Sequence, residues 1–444
     1  MRRASYDWRM QKAPAKSQTL ISFLVGALAT FARAEALTLH VPSEYSTIQA
    51  GIAASAPGDT VEIACATYYE HDIPLKPGIT LKSENGSADC VIIDAQQLGR
   101  VFVGQLLPGT LHFNGLTILG GIADDGVKFD PGIFGGGIYL DDCNAFMTAC
   151  VFEGNSASYR GGGIAAISSD LTLSDCLFTL NHAGGGPFTA PGGGGLYVIN
   201  GSVDVVGCRF LNNTTGPGYS SGGAFYHTSS GSVEMHDCIV ANNASARRAG
   251  GVALTLSALI SNCVFQGNSA VAEDGGGLSA FGYRVTIIDC AFVANSAPAG
   301  GGVACRILTM DRCTIVNNGG GGIFFNALPL SQPQFISHVI VAKNTGPAIS
   351  CAYPTEEFIS CTDLYKNSGG DWTDCVADQA DINGNFSADP LFCDVNNDDY
   401  TLQANSPCAP PQSGACEQIG AFGVGCEPIH VEAKSWGGIK ALYR

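Results

Sequence analysis

Apolar and polar residues recur in a fixed phrase along the middle of the chain. Two apolar residues two positions apart are followed by a two-residue break and then by Cys-x-Phe-x-x-Asn, and a glycine-rich step precedes the next copy. Eight copies lie between Ala145 and Asn344, and successive Asn residues are 23 to 32 positions apart. Because self-similarity at this period is typical of stacked supersecondary units, the pattern predicts a solenoid.

Each copy of the repeat predicts short strands with one apolar face, which points to the interior. Leu171 and Leu173, for example, are two apart and therefore share a face of one strand, and Ser174-Asp175 marks the bend after it. Glycine runs permit the positive φ angles of a second corner, and a third strand follows each run. Three strands and three corners make one coil of a parallel β-helix, so we predict an all-β fold of about a dozen coils.

Two repeat positions are predicted to stack as columns inside the coils. Side chains in register on parallel strands point alike, so we expect the cysteines of the repeat to be packed thiols. The asparagines are expected to hydrogen-bond from coil to coil and so satisfy buried polar groups. The two columns are Cys150, Cys176, Cys208, Cys238, Cys263, Cys290 and Cys313, and Asn155, Asn181, Asn213, Asn243, Asn268, Asn295 and Asn318.

An amphipathic helix is predicted ahead of the first coil. Ser46 or Thr47 can cap it, and Ile48 and Ile52 share one face. A helix laid over the open end of a solenoid would block end-to-end association. The predicted divisions are a signal peptide over 1–34, a strand and helix cap over 35–60, the parallel β-helix over 61–425 and a basic, aromatic tail over 426–444.

Two kinds of stretch carry a resemblance to known families. VPSEYSTIQAGIAASAPGDTVEIACATYYE, with IPLKPGITLKS after it, resembles the opening of secreted right-handed parallel β-helix proteins of the pectin-lyase-like superfamily. The GGGI and FxxN phrases resemble the repeats of chlamydial polymorphic outer membrane proteins. The similarity covers most of residues 38–425 and implies a right-handed winding in a bacterial protein. That fold carries lyases, hydrolases, esterases and chains without known catalysis, so function must be argued from sites.

The first residues and the net charge favour an exported protein. Basic residues precede an apolar stretch from Leu20 to Phe31, and Ala32-Arg33-Ala34 fits a cleavage site, so we expect a cleaved signal peptide. The remaining chain holds 16 Lys and Arg against 38 Asp and Glu, a charge that excludes nucleic acid as a partner. We predict a secreted or outer-membrane-surface monomer with no transmembrane segment after cleavage.

The 18 cysteines also suit an oxidising compartment. Bridges are more plausible in the irregular sequence near the C terminus than in the repeats, although spacing does not give their connectivity. The cysteines of that region include Cys375, Cys393, Cys408, Cys416 and Cys426.

Candidate catalytic motifs are incomplete in this chain. A polygalacturonase-like site would show NTD, DD, GHG and RIK in order, but only the paired acids at 124–125 and 141–142 are present, and Leu308 stands where the Lys of RIK would be. A pectate-lyase-like site would need Ca²⁺ ligands and an Arg base, which we cannot assign. Asp394-x-Asn396-x-Asp398 begins like an EF-hand loop but lacks its Gly and Glu. No catalytic residue, metal ligand or cofactor is assigned, and bound Ca²⁺ is kept as an alternative.

Loops between the Asn corner and the glycine corner are long in the early coils, and stacking places them side by side. Loops on a rigid scaffold commonly carry function. We predict a non-catalytic, adhesin-like protein that binds glycan or a cell-envelope surface there. The alternatives are a polysaccharide lyase or glycoside hydrolase acting on uronic-acid polymers, and a purely structural envelope rod. The predicted binding residues are Asp124, Asp125, Phe129, Asp130, Tyr159, Phe188 and Tyr219.

Overall fold

Parallel strands wind the chain into a solenoid of about twelve turns. The computed structural model describes residues 35–124, 133–184, 192–326, 332–354 and 356–426. Strands of neighbouring coils pair in parallel into three sheets of 22, 12 and six strands. They do so because each coil finds its backbone hydrogen-bond partners in the coils above and below. The predicted all-β, parallel β-helix fold is confirmed.

The main sheet has 22 strands and takes two consecutive strands from most coils. The first strand of each pair belongs to the leading stack and the second to the trailing stack; two long strands, Leu278–Ile288 and Val303–Asp311, serve both. The leading stack otherwise comprises Ile73–Pro74, Phe102–Gln105, Ile138–Asp141, Ile164–Ile167, Leu196–Ile199, Phe225–Thr228, Val252–Leu254, Ile323–Phe325 and Ile349–Cys351. The trailing stack otherwise comprises Thr38–Val41, Thr60–Ile63, Thr80–Ser83, Thr110–Asn114, Asn144–Thr148, Leu171–Ser174, Val203–Val206, Val233–His236, Ala258–Ser261, Gln334–Ser337 and Glu357–Ser360.

Two smaller sheets close the coils. The second sheet comprises 12 strands, Ala66–Tyr68, Val91–Asp94, Thr117–Leu119, Val151–Glu153, Leu177–Thr179, Arg209–Leu211, Ile239–Ala241, Val264–Gln266, Ala291–Val293, Thr314–Val316, Ile340–Ala342 and Asp363–Tyr365. The short sheet comprises six two-residue strands, Ile122–Ala123, Ser156–Ala157, His182–Ala183, Thr214–Thr215, Ala244–Ser245 and Ser269–Ala270. A regular coil therefore runs from the leading stack to the trailing stack, then through the second and short sheets to the next coil.

The helix predicted at the N-terminal end spans Ile48–Ala54. Thr47 is its N-cap, and its side chain accepts a hydrogen bond from the backbone N–H of Ala50. Ile48 and Ile52 are buried against the first strands, as the amphipathic pattern predicts. Within the described residues no helix is long and apolar enough to cross a bilayer.

Equivalent residues lie over one another in the interior because the register is kept from coil to coil. Met147 pairs with Leu173, and the rings of Phe152 and Phe178 stack with centroids 4.6 Å apart. The asparagines form a continuous ladder: the Oδ1 of Asn243, for example, accepts from the backbone N–H and the Nδ2 of Asn213. All seven repeat cysteines are buried free thiols.

The corners use left-handed backbone conformations. One corner residue precedes each repeat cysteine, and its φ is positive whether it is Asp175, Gly207 or Ala149. The glycine corner is also crowded: a Cβ on Gly162 would lie 2.4 Å from the carbonyl oxygen of His182. Glycine is therefore required by φ at Gly161, where φ is 66°, and by close backbone approach at Gly162.

Four disulfides hold the two ends of the solenoid: Cys65–Cys90, Cys351–Cys375, Cys361–Cys416 and Cys393–Cys426. Cys65 and Cys90 precede paired residues of adjacent coils, with Cα atoms 4.5 Å apart. This bridge joins cysteines outside the repeat position, so the expectation of packed thiols for the repeat cysteines is unaffected. Cys408, which we included among the cysteines where bridges are more plausible, is a buried free thiol.

The C-terminal segment, residues 386–426, folds back over the outer face of the second sheet. It contains the antiparallel strands Phe392–Asp394 and Asp399–Leu402 and the 3₁₀ helices Val395–Asn397 and Gly414–Cys416; another 3₁₀ helix, Asp374–Gln379, precedes it. The contact buries an apolar cluster outside the coils that includes Val264, Val293, Val316, Ile340, Phe392, Tyr400, Leu402 and Ile419.

Candidate functional site

The described members of the predicted binding set lie along one flank of the solenoid. Asp124, Tyr159 and Tyr219 each follow a strand of the short sheet. Since these strands are in register, Tyr159 and Tyr219 lie two coils apart, roughly 10 Å along the axis. We call the corner that follows the short sheet the loop flank. Asp125, Phe129, Asp130 and Phe188 lie outside the described residues.

Tyr159 lies in a cluster of aromatic rings around one arginine. Its ring meets Phe134 edge-on at a centroid distance of 5.5 Å. The Arg160 guanidinium lies 4.6 Å from the Tyr159 ring centroid and 4.8 Å from that of Tyr197. It also donates to both hydroxyls, at 3.3 Å to Tyr159 and 2.5 Å to Tyr197. These contacts fix the orientation of the Tyr159 ring.

Beneath this cluster, outward-facing tyrosines of the leading stack are buried. Tyr139 and Tyr197 are 2% and 1% exposed although they point away from the solenoid interior. Burial raises the pKa of each to about 12. The early part of the loop flank therefore rests on a small second core.

Tyr219 forms a second, more open cluster two coils further on. Its side chain is 57% exposed, and the Arg247 guanidinium carbon lies 4.2 Å from its ring centroid. Arg247 donates from Nε to Glu273 at 2.5 Å, and Arg248 pairs with both Glu273 and Asp274. The ring is thus held against an arginine whose charge is balanced, while much of the tyrosine remains accessible.

Three arginines of these clusters, Arg160, Arg247 and Arg248, were not among the binding residues predicted from the sequence. Arg160 and Arg248 occupy equivalent positions: the bridges Phe134–Arg160, Arg160–Gly192, Gly192–Ser221 and Ser221–Arg248 align them along one column. The signal available was an arginine immediately before the glycine corner, in Arg160-Gly161 and in the Arg247-Arg248 pair. An arginine at that position contacts an aromatic ring of the following coil, as Arg160 does with Tyr197 and Arg248 with Phe281.

Among the described catalytic candidates, Arg306 is not brought next to the pair Asp141 and Asp142. Asp141 accepts a hydrogen bond from the Tyr139 hydroxyl at 3.3 Å, and Asp142 is an exposed corner residue with φ of 54°. Arg306 lies in the strand Val303–Asp311, six coil steps from Asp141 or roughly 30 Å along the axis. These groups do not form a common acid–base site.

Two groups of side chains among the described residues have the spacing of metal ligands. The groups of three metal-binding side chains there are Cys65, Glu84 and Cys90, and Cys351, Glu357 and Cys375. In both groups the cysteines are joined as a disulfide, so their sulfurs are not thiolate ligands. The Asp394 carboxylate accepts from the backbone N–H and the side-chain Nδ2 of Asn397, because Asp394 is the N-cap of the 3₁₀ helix Val395–Asn397.

Comparison with known families supports the fold and covers much of the loop flank. A family described as "Right handed beta helix region" matches residues 125–292, which include Tyr159 and Tyr219. No curated protein and no solved structure gives a significant match to this chain. The chain is therefore a β-helix repeat protein, and its particular activity has to be inferred from its own surface.

Proposed function

We propose that this is a non-catalytic exported protein that binds glycan or another cell-envelope surface through the loop flank. A rigid solenoid presents its corner residues at fixed spacing, so several weak contacts can act together along one flank. The secreted or outer-membrane-surface location belongs to the same proposal. Four disulfides support it, because such bonds persist in oxidising compartments.

The exposed ring of Tyr219 carries this proposal. Arg247 restricts the ring from one side and is itself held by Glu273, so the loss of side-chain entropy on binding is small. A tyrosine held in this way offers an apolar face for sugar C–H groups and a hydroxyl for hydrogen bonding. Tyr159, restrained by Phe134 and Arg160, adds a second ring on the same flank.

The test uses the purified protein without its first 34 residues on a glycan array and against an envelope extract. We expect binding that falls at least tenfold in Tyr219→Ala. Tyr283→Ala is the matched control, because Tyr283 is 69% exposed and lies in the main sheet away from the loop flank. Equal denaturation midpoints would show that both variants are folded.

Three results would contradict the proposal. Binding that survives Tyr219→Ala combined with Tyr159→Ala would remove the loop flank as the site. Absence of binding to every glycan and extract would favour a structural rod. Turnover of polyuronates, assayed with and without Ca²⁺, would favour a lyase or hydrolase instead.

A further inference from the structure

A second aromatic surface lies on the trailing stack, far from the loop flank. The outward row of this stack is mostly polar in the middle coils, with Asp204, Glu234 and Thr309. In the last two coils the same row holds Phe335 and Phe358, which are 43% and 52% exposed. Their rings stack with centroids 5.5 Å apart and planes 15° from parallel.

Phe335 is held in place from the side opposite Phe358. The Arg284 guanidinium carbon lies 5.3 Å from the Phe335 ring centroid. Arg284 donates to the Thr309 hydroxyl at 2.9 Å and to the carbonyl oxygens of Leu308 and Pro333 at 3.2 Å. Phe335 is therefore clamped between a fixed cation and a second ring, which preorganises the pair for a ligand.

The two rings form one wall of an open groove of about 230 Å³. Ser337, Ser360 and Asn383 contribute hydroxyl and amide groups to its lining. The backbone of Ile336 and Ile359 completes it, since both side chains point into the buried core. No side chain that lines this groove, among the described residues, carries a charge.

We propose that this groove binds one or two neutral pyranose units of a glycan. The C–H face of a sugar ring packs on exposed phenylalanine, and its hydroxyls find partners in serine and asparagine side chains. The side chains that line the groove are uncharged, and the neighbouring Arg284 is already hydrogen-bonded to the Thr309 hydroxyl and to two backbone carbonyls. The net charge of −17 repels anionic polymers. The ligand is therefore a neutral sugar.

This site is separate from the loop flank and does not depend on the function proposed for it. Exposed phenylalanine pairs also stabilise neighbouring strands without any ligand, so a loss of stability alone would not support the groove. Binding has to be measured on variants whose folding is checked in parallel.

The experiment titrates the same protein with maltohexaose, cellohexaose, chitohexaose and hexagalacturonate by calorimetry and ligand-observed NMR. We expect at least one of the three neutral oligosaccharides to bind, and its affinity to fall at least tenfold in Phe335→Thr/Phe358→Thr. Threonine occupies the same row at Thr286 and Thr309 and fits the strand. Phe146→Thr is the control, because Phe146 is 45% exposed in the same row but outside the groove.

Asn383→Gly provides a second variant if the double substitution fails to fold. Asn383 has φ of 52°, a conformation that glycine adopts without strain, so the amide is removed and the backbone is kept. We expect at least a threefold loss of neutral-sugar affinity. The proposal is overturned if only hexagalacturonate binds, if no neutral oligosaccharide binds, or if binding persists in every groove variant. Neutral-sugar binding lost in Tyr219→Ala and retained in the groove variants would place it on the loop flank and would also overturn the groove.

Discussion

The Cys408 Sγ of the C-terminal segment lies 3.4 Å from the Oδ2 of Asp363 in the second sheet. Asp363 belongs to an outward row of the second sheet that holds Val264 and Ile340 in earlier coils. Its other oxygen accepts from the backbone N–H of Ala388 at 3.0 Å. Burial is the main reason that the pKa of this carboxyl is raised to about 7; nearby Asp371 and Asp389 act in the same direction, and the hydrogen bonds from Ala388 and Cys408 oppose it.

The buried Asp363 carboxyl is expected to make stability depend on pH. Because the folded-state pKa lies above the unfolded value, the contribution is present below about pH 4 and is lost as pH rises through 7. The total change is on the order of 4 kcal/mol at most. Asp363→Asn keeps an acceptor for Ala388 and cannot ionise, so we expect a higher denaturant midpoint at pH 8 and little difference at pH 4.

Urea unfolding at a series of pH values, monitored by circular dichroism, tests this expectation. Exposed Asp124 provides the control through Asp124→Asn, which should follow the unsubstituted protein. A parallel pH profile for Asp363→Asn and the original chain would show that this carboxyl does not carry the dependence.

Local sequence was sufficient to predict the winding of the solenoid. The same alternation of inward and outward residues recurs in each repeat. A coil whose own pattern is weak can therefore be assigned from the repeats on either side of it. The signal for the start of the helix is also local in sequence, since Thr47 caps the first turn directly before Ile48. The repeating register then determines which residues stack.

The C-terminal segment was not predicted because its contacts join residues far apart in sequence. A signal was present: the second-sheet strands Ile239–Ala241, Ala291–Val293, Thr314–Val316 and Ile340–Ala342 are buried on both faces. Loss of alternation indicates a strand covered on both sides. In the candidate site, the arginine contacts depend on distances between coils, which residue order alone does not provide.

The asparagine ladder is expected to contribute strongly to stability. Asn243 Nδ2 donates to the Phe210 carbonyl at 2.8 Å and to Asn268 Oδ1 at 3.0 Å, while its Oδ1 accepts two bonds from Asn213. Asn243→Ala leaves these buried partners unsatisfied and should cost about 3 kcal/mol or more. Asn144→Ala, which removes one exposed bond to Asp170, should cost less than about 1 kcal/mol.

Chemical denaturation of both variants measures the difference. A similar, small loss for the two substitutions would mean that water replaces the ladder bonds and that the column is not a major source of stability.

Substitution of one corner residue, Ala294, is expected to increase the stability of the protein. Ala294 is exposed and has φ of 52°, whereas Asn242 and Asn317 occupy equivalent positions in other coils. Asparagine tolerates this left-handed conformation better than alanine. We expect Ala294→Asn to raise the free energy of unfolding by about 0.5–1 kcal/mol, measured by thermal or urea unfolding. Ala66→Asn in an extended strand is the control and should give no gain.

The thiol column is expected to be inert in the folded protein. All ten free cysteines are buried, and burial raises the pKa of the Cys263 and Cys290 thiols well above the usual value. Since alkylation needs both access and thiolate, iodoacetamide should add nothing to the native protein. After unfolding without reductant it should label ten cysteines, and after reduction all 18, as counted by intact mass. Labelling of repeat cysteines in the native state would show that the interior opens between coils, because these residues are at most 1% exposed in the folded protein.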